Sequence, residues 1–398
     1  MNLASKLWQR GRESLPIEGF YFDRPLVLIQ SDDWGRAGLR DREGFEELRS
    51  AGLELGERPY DFYTLETAED LAAIREMMKR HADSNGRHPC IGMNFIVANL
   101  DFEKIDLAGL DRTGGDTGSL SLLPLSEGLP KPWSRPNLRE GYRAGIADGV
   151  FRAALHGSTH FCVPAVTRSA ARNSERSKLL LTLWGARTPY IHWRMPWVGY
   201  EYWDPELMDE ERFLPVEEQR RAIGNSVGLF AKMFAALPRS ACAPGYRANR
   251  DTHRAWAQHG IRVVQNGPGI AAPPHFDRHE EVLHISRTVE FEPATDERFS
   301  MEACVARAER SFEMGIPAII SVHAINFHST VKDFRSRTLD LLDEFLSALE
   351  SRRGDLLYLH DEDLYDLVTK GSYCTDTGSV ETRVERRKFK KTSLAREG

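Results

Sequence analysis

The sequence predicts an α/β protein built as a (β/α) barrel that is distorted or incomplete, with seven to eight strands and inserted loops. Short apolar segments with the length of buried strands recur along the 398 residues, and amphipathic segments separate them. Strands that alternate with helices on this scale form a mostly parallel sheet, and about eight of them suit a barrel. The predicted strands are 26–30, 90–97, 152–155, 240–243, 261–265, 283–289, 318–322 and 356–359.

Three of the segments between these strands have helical patterns. Thr67 and Asp70 have the spacing of a capping box, and Leu71, Ile74 and Met78 continue one face of the helix that follows. Two further apolar stripes with helical spacing are formed by Ile223, Val227, Phe230 and Phe234, and by Phe334, Leu341, Phe345 and Leu349. Helices that pack on a sheet need such one-sided apolar faces.

Two regions interrupt the alternation of strands and helices. Residues 101–137 are rich in Gly, Pro, Ser and Leu, which predicts a long irregular insertion. Residues 186–205 are crowded with aromatic side chains, including Trp193 and Trp197, and predict a second insertion. Long loops in a compact domain are often lids or binding surfaces, so the second insertion is a candidate substrate surface.

The domain organisation predicted is one barrel over residues 1–370, with the two insertions, followed by a basic tail. From 371 to 398 the apolar content falls, and residues 383–391 carry six basic side chains. Segments of this composition cannot bury enough apolar surface to fold, so we expect the tail to be disordered.

The composition limits the partners and the compartment. A net charge of -6 gives no overall electrostatic reason to bind nucleic acid. The five cysteines are scattered without a C-x-x-C pair, which favours a reduced compartment over a zinc–thiolate site. The first residues lack the apolar core of a signal peptide, and no run reaches the ~20 apolar residues of a membrane span. We therefore expect a cytoplasmic location; the oligomeric state stays open.

Two polar pairs follow predicted strands and together have the composition of a metal site. Asp32 and Asp33 follow the apolar run 26–29, and His156 and His160 follow a shorter apolar run. One carboxylate and two imidazoles make a three-ligand set that leaves a divalent ion such as Zn²⁺ an open position for water. Side chains alternate along an extended segment, so the second aspartate can face that water and accept its proton.

Two further segments carry groups that such a hydrolase would need. A tight turn, Cys242-Ala243-Pro244-Gly245-Tyr246-Arg247, can aim backbone N–H groups at a developing oxyanion, and Arg247 could orient a carboxylate. His323 ends the strand-like run 319–322, where an imidazole can protonate a leaving amine or alcohol.

Taken in order, these segments resemble the motifs of the polysaccharide deacetylase family of carbohydrate esterases and, more broadly, the glycoside hydrolase/deacetylase barrel superfamily. The resemblance spans roughly residues 24–365, although only short segments carry it. They are Asp32-Asp33, His156-x-x-x-His160, Pro244-Gly245-Tyr246 and Ile320-x-x-His323.

The resemblance implies a role for each residue. Asp32 would be the catalytic base, the Tyr246 N–H would stabilise the oxyanion, and His323 would be the acid. Asp33, His156 and His160 would hold the divalent ion. An acetylated sugar would be the substrate, with contacts expected from Trp34, Trp193, Trp197 and Pro244.

Departures from the family's motifs indicate a divergent branch. The arginine expected two residues before Pro244 is Cys242, and Gly245 separates Pro244 from Tyr246. The interval between Asp33 and the histidine pair is longer than is typical, and the family's Asp/Trp motif has no clear equivalent. Two alternatives to a metal-dependent deacetylase stay open: a catalytically impaired sugar- or metal-binding relative, and a metal-independent glycoside hydrolase of the same barrel class.

Overall fold

The computed structural model describes residues 17–105, 120–172, 174–209, 211–269, 271–276, 282–376 and 378–389. The strands are β1 Ile17–Phe22, β2 Leu26–Trp34, β3 Ile91–Ile96, β4 Ala98–Leu100, β5 Leu122–Pro124, β6 Phe151–Gly157, β7 Ser240–Cys242, β8 Val263–Asn266, β9 His275–Phe276, β10 Leu283–Ser286, β11 Val289–Glu290, β12 Ala318–His323, β13 Leu357–Tyr358, β14 Ser372–Thr375, β15 Gly378–Glu381 and β16 Val384–Phe389. The α-helices of these residues are α1 Arg42–Ser50, α2 Ala68–Met78, α3 Leu138–Ala147, α4 Val163–Ala171, α5 Glu175–Gly185, α6 Val216–Phe234, α7 Arg250–Gln258, α8 Met301–Glu313, α9 Arg335–Arg352 and α10 Asp361–Lys370.

The central sheet is a run of parallel strands that curls round on itself. Its parallel part has the order β11-β12-β2-β3-β6-β7-β8-β10. The chain passes from β10 at one end of this run to β11 at the other through only Arg287 and Thr288. The Arg287 N–H donates to the Asn266 carbonyl of β8, and the Thr288 N–H donates to the Ile319 carbonyl of β12. The predicted barrel, distorted rather than regular, is therefore confirmed.

The buried strands and the capped helices follow directly from their residues. β2 is buried along its whole length, as expected for a parallel strand covered on both faces. Thr67 caps α2 by accepting from the Asp70 N–H, while the Asp70 carboxylate accepts from the Thr67 N–H. Leu71, Ile74 and Met78 of α2 lie in the main apolar core between the helices and the sheet.

The tail is the part of the fold that the sequence analysis described wrongly. β16 pairs antiparallel with β1 over six residues, and β14 pairs with β15, so residues 372–376 and 378–389 are not disordered. β16 is an edge strand with mostly exposed charged side chains, a composition that edge strands tolerate and that lowers apolar content. Residues 390–398 of the predicted tail lie outside the described residues.

The two predicted insertions are connections rather than parts of the barrel. In the first, β5 pairs with β4 in a small separate sheet, and the Gly-rich run at 114–118 lies outside the described residues. The second contains two short 3₁₀ turns, at His192–Arg194 and Pro196–Val198. None of the described helices is long and apolar enough to cross a membrane.

Candidate metal centre

The carboxyl ends of four parallel strands bring the predicted site residues together. Asp32 and Asp33 directly precede the last residue of β2, His156 directly precedes the last residue of β6, and His323 is the last residue of β12. The turn after β7 completes the group. A cavity of about 310 Å³ opens among them and is lined by Asp32, Asp33, Arg36, Tyr60, His156, His160, His192, Trp193, Tyr200, Gly245, Tyr246 and His323.

Asp33, His156 and His160 converge in the geometry of a metal site. The Asp33 Oδ1 atom lies 3.2 Å from His160 Nε2 and 3.6 Å from His156 Nε2. The His156 Nδ1–H donates to the Cys242 carbonyl at 2.9 Å, which leaves the Nε2 lone pair facing Asp33. Burial lowers the pKa of His160 well below its usual range even though Asp33 opposes this, so the imidazole is neutral and able to bind a metal.

An unsatisfied buried oxygen indicates that a cation belongs there. Asp33 Oδ1 is buried and accepts no hydrogen bond from the described residues. A carboxylate oxygen in that condition is costly unless a cation completes its surroundings. The chemistry of the set, one carboxylate with two imidazoles, also suits a catalytic zinc ion.

A second possible ligand set shares one histidine with the first but fits a metal less well. Asp32, His156 and Cys242 also present ligand atoms close to one another. Burial raises the pKa of the Cys242 thiol well above its usual range, and the Asp32 carboxylate raises it further. A thiol that keeps its proton is a poor ligand, and Asp32 is already held by a guanidinium. The set with Asp33 is therefore the stronger candidate.

A break in β2 gives the two adjacent aspartates different surroundings. The pairing of β2 with β3 shifts register between Ser31 and Trp34, and Asp33 has a φ of 76°. Such a φ is uncommon for a residue other than glycine, and neighbouring groups hold it. The Tyr63 hydroxyl donates to the Asp33 carbonyl at 2.7 Å, and the Arg36 guanidinium donates to Asp33 Oδ2 at 2.7 Å.

Asp32 is held by an arginine that the sequence analysis did not identify. The Arg287 guanidinium donates from Nη2 to Oδ1 at 2.6 Å and from Nη1 to Oδ2 at 2.7 Å, and Asn94 donates to Oδ1 at 2.6 Å. Burial raises the pKa of Asp32, but Arg287 and the nearby histidines outweigh burial, and the pKa falls well below its usual range. Asp32 is therefore ionised and fixed in orientation, with Cys242 Sγ only 3.9 Å from Oδ2.

The role predicted for Arg247, orienting a carboxylate, needs correction, because a different arginine holds Asp32. Its guanidinium lies 4.9 Å from the centre of the Trp203 ring and does not line the cavity. The guanidinium that contacts Asp32 comes instead from Arg287, at the joint between β10 and β11. Cys242 occupies the place where the family's arginine was expected, and its Sγ atom lies 3.7 Å from Arg287 Nη2.

His323 is paired with a carboxylate, as a leaving-group acid requires. Its Nδ1–H donates to Glu292 Oε1 at 2.6 Å, and Asn326 donates to the other oxygen of Glu292 at 2.6 Å. Burial lowers the pKa of His323, but Glu292 and Asp32 outweigh it and raise the pKa to about 9. The opposite nitrogen, Nε2, lies 3.9 Å from Asp32 Oδ2 and so faces the cavity.

The turn after β7 offers a different oxyanion donor from the one predicted. The Tyr246 N–H donates to the Ala243 carbonyl at 2.8 Å, so it is not available to an oxyanion. Gly245, with φ of 58°, lines the cavity, and its N–H has no partner among the described backbone hydrogen bonds. The Tyr246 hydroxyl accepts from Arg287 at 2.8 Å, while Pro244 is buried, begins the turn and does not line the cavity.

The tryptophans predicted to bind substrate are mostly structural. Trp34 is fully buried and stacks on Phe327, and Trp197 packs against a second apolar cluster, so neither lines the cavity. Trp193 does line it, but two guanidinium groups lie over its ring, those of Arg58 and Arg194 at 4.3 and 4.2 Å. Of these three tryptophans, only Trp193 contributes to the cavity wall.

Other residues in or beside the cavity escaped the sequence analysis because their signals are weak. Glu292 follows a predicted strand by three residues, a position that could have suggested it as the partner of His323. His192 contributes a buried Nε2 atom without a partner among the described residues. Glu201 accepts from the Ser158 N–H at 2.8 Å and so supports the loop between the two histidines, with burial raising its pKa to about 7.

No protein-family model matches this chain, and neither does any curated protein. Among solved structures, it is similar to a putative polysaccharide deacetylase from Mycobacterium smegmatis, with 11% sequence identity, 87% of this chain and 90% of that chain covered, and a TM-score of 0.43. It is also similar to a family 4 carbohydrate esterase from Streptomyces lividans in complex with acetate. The sequence identity is 12%, the match covers 84% of this chain and 91% of that chain, and the TM-score is 0.34. A CE4 family pseudoenzyme from Bacillus anthracis matches with 10% sequence identity and a TM-score of 0.37, and the match covers 86% of this chain and 66% of that chain. Each of these likenesses has a sequence identity of 12% or less and a TM-score of 0.43 or less.

Proposed function

We propose that this protein is a metal-dependent hydrolase that removes an acetyl group from an N- or O-acetylated sugar. The observation that carries the proposal is the unsatisfied Asp33 Oδ1 atom, which faces the Nε2 atoms of two histidines at 3.2 and 3.6 Å. A separate ionised carboxylate, Asp32, lies beside this set. Zn²⁺ is the ion we propose for it, because it favours nitrogen and carboxylate ligands in a site with an open position.

The metal ligands and the base, Asp32, have separate parts in generating the nucleophile. A divalent ion held by Asp33, His156 and His160 would polarise the acetyl carbonyl and acidify the attacking water. Asp32 accepts the proton of that water, and the two hydrogen bonds from Arg287 hold its carboxylate in one orientation. Fixed orientation matters because proton transfer needs the donor and the acceptor within hydrogen-bond distance.

Two further residues that line the cavity complete the reaction. The Gly245 N–H is the backbone donor available to the oxyanion of the tetrahedral intermediate. His323, protonated at neutral pH, delivers its Nε2 proton to the departing amine or alcohol, and Glu292 stabilises the cation before that transfer. Asp32 and His323 thus act as a base and an acid with pKa values displaced in opposite directions.

The test is elemental analysis of the purified protein beside a screen of N- and O-acetylated sugars for acetate release. We expect one bound divalent ion per chain, loss of turnover on chelation and recovery when Zn²⁺ is restored. Cleavage of a glycosidic bond that is insensitive to chelators, without acetate release, would favour the metal-independent glycoside hydrolase. Metal binding without acetate release from any sugar would favour the catalytically impaired relative.

A further inference from the structure

The acidic groups of the cavity are already neutralised by positive groups of the protein. Asp32 pairs with Arg287, and Asp33 pairs with Arg36 at 2.7 Å. The third positive group, His323, is matched by its carboxylate partner. A divalent ion bound by Asp33 would therefore add positive charge that no protein group balances. With such an ion bound, the cavity would have an excess of positive charge, and the arginine donors in and beside the cavity can attract an anionic group even without the ion.

Arg36 places one of these charges directly in the cavity wall. It is 4% exposed, lines the cavity and carries a buried Nε atom with no hydrogen-bond partner among the described residues. Its guanidinium packs against the rings of Tyr63 at 4.2 Å and Tyr190 at 5.1 Å. Only one of its nitrogens contacts Asp33, and a guanidinium has five N–H donors. Donors remain for an oxygen-rich anion.

Two more arginines lie next to residues that line the cavity, although they do not line it themselves. Arg58 lies over Trp193, a lining residue, and Arg247 directly follows Tyr246, another lining residue. Both side chains are exposed, and neither forms an ion pair with a carboxylate of the described residues. Guanidinium groups in such positions raise the local concentration of anions and bind carboxylate or phosphate with two parallel hydrogen bonds.

The cavity is also small for a polymer site. Its volume of about 310 Å³ lies at the lower end of the ~300–1,000 Å³ that small-molecule sites occupy. His192, Trp193 and Tyr200 of the second insertion form part of its wall. This wall is anchored, because Trp193 Nε1 and Arg194 Nε both donate to Asp61 Oδ1, at 2.9 and 3.0 Å. A single sugar ring with its acetyl group is the size that fits.

We propose that the substrate is an acetylated sugar of single-ring size that carries an acidic group, a carboxylate or a phosphate. Arg36 contacts that group within the cavity, and Arg58 and Arg247 attract it at the mouth. The inference rests on the proposed deacetylase function for the acetyl group, but the recognition of the anion depends only on the arginines.

Binding to the metal-free protein tests the recognition without any turnover. Calorimetry on the metal-free protein compares N-acetylglucosamine, which is neutral, with N-acetylglucosamine 6-phosphate and N-acetylmuramic acid, which carry a phosphate and a carboxylate. We expect at least one of the two anionic sugars to bind at least tenfold more tightly than N-acetylglucosamine. The stronger of the two identifies phosphate or carboxylate as the preferred group. Equal affinity for all three would overturn the inference.

Variants assign the effect to the arginines. Arg36→Gln should remove most of the preference for the anion, and Arg58→Gln and Arg247→Gln should each reduce it severalfold. Arg36 contacts a ligand of the proposed ion, so its substitution could also disturb the metal centre. Arg58→Gln and Arg247→Gln provide a measurement that does not depend on an intact metal centre. Arg152→Gln, at the opposite end of the barrel, is the matched control and should keep the full preference. A preference unchanged in all three cavity variants would overturn the inference.

Activity measurements separate failure of this inference from failure of the proposed function. With the Zn²⁺-loaded enzyme, kcat/KM for acetate release should be at least tenfold higher for N-acetylglucosamine 6-phosphate or N-acetylmuramic acid than for N-acetylglucosamine. A neutral chitotetraose should be a worse substrate than N-acetylglucosamine. If the neutral sugars react as fast or faster, the inference fails and the deacetylase stands. If no sugar releases acetate but the anions bind selectively, the deacetylase fails and the anion site stands.

Discussion

The two ends of the barrel both carry a cavity lined by charged side chains, yet they differ in how those charges are satisfied. The cavity at the amino ends of β3 and β6 is the larger, at about 550 Å³ against about 310 Å³. Its arginines are paired, Arg87 with Asp363 at 2.7 Å and Arg152 with Glu362 at 2.8 Å. None of these four side chains has a buried polar atom without a partner.

The cavity at the carboxyl ends contains ion pairs as well, but buried polar atoms there have no hydrogen-bond partner among the described residues. Asp33 Oδ1, His160 Nδ1 and His192 Nε2 are buried without hydrogen-bond partners among the described residues. Native proteins rarely leave buried polar atoms unpaired unless another group binds there. The comparison favours the carboxyl end as the candidate functional end, because its unsatisfied buried atoms, rather than the larger volume, distinguish it, and active sites of (β/α) barrels lie at that end.

The largest expected effect comes from removing a ligand at the carboxyl end. His156→Ala should empty the metal site and lower turnover below detection, because the imidazole supplies one of only three protein ligands. Elemental analysis and acetate release measure both effects. His360→Ala, a histidine of the amino-end cavity, is the control and should keep its metal and its turnover. Equal metal loss in both variants would contradict the assignment of the metal site to the carboxyl end.

Asp32→Asn should separate catalysis from metal binding. The amide keeps the shape of the carboxylate but cannot accept a proton, so turnover should fall by about 10²–10⁴-fold while the metal content stays at the wild-type level. Stopped assays with one acetylated sugar, normalised to metal content, make the measurement. If Asp32→Asn lost the metal and Asp33→Asn retained it, the roles given to the two aspartates would have to be exchanged.

His323→Gln should have a smaller effect that depends on the leaving group. Loss of the acid should slow cleavage of an N-acetyl amide about 10²-fold. An activated acetyl ester, whose leaving group needs no proton, should be cleaved nearly as fast as by the wild type. Comparable losses on the two substrates would assign His323 a packing role instead.

The same residue sets the alkaline side of the pH profile. Glu292 and Asp32 raise the pKa of His323 to about 9, so the imidazole is protonated below that pH and loses its proton as pH rises through it. Wild-type cleavage of the amide should therefore decline as pH rises through about 9, and His323→Gln should lack this decline. Glu292→Gln removes the raising carboxylate and should move the decline to lower pH.

The smallest effect on turnover is expected at the amino end. Arg87→Ala leaves the buried Asp363 carboxylate without its partner, and this should cost about 2 kcal/mol of unfolding free energy. Turnover per folded molecule should not change, because no residue of that cavity approaches the metal ligands. Denaturant titration and acetate release, made on the same preparation, test the two statements together.

The sequence predicted the parts of the site that local pattern determines. Asp33, His156 and His160 each follow an apolar run, and the ends of parallel strands meet at one edge of the sheet, so their convergence was foreseeable. His323 at the end of β12 was foreseeable for the same reason. The capping box of α2 was also readable, since the spacing of two residues specifies it.

The parts that depend on tertiary contacts were not predictable. Residues 283–289 read as one strand, but the chain breaks at Arg287 to join the two ends of the parallel run, and this break turns the guanidinium onto Asp32. The basic segment around Arg386 read as disordered because its pairing with β1 leaves no apolar signal in an edge strand. The aromatic faces of Trp193 and Trp197 are covered by arginines from distant parts of the chain or by core packing, which composition does not reveal.

The central claim is that the carboxyl end of the barrel binds a divalent ion through Asp33, His156 and His160. Anomalous diffraction at the zinc edge, on crystals of the zinc-loaded protein that still releases acetate, tests it most directly. The account predicts one strong peak about 2.0–2.2 Å from an Asp33 oxygen and from both Nε2 atoms. A peak at the amino-end cavity instead, or no peak between these three residues in an active crystal, would contradict it.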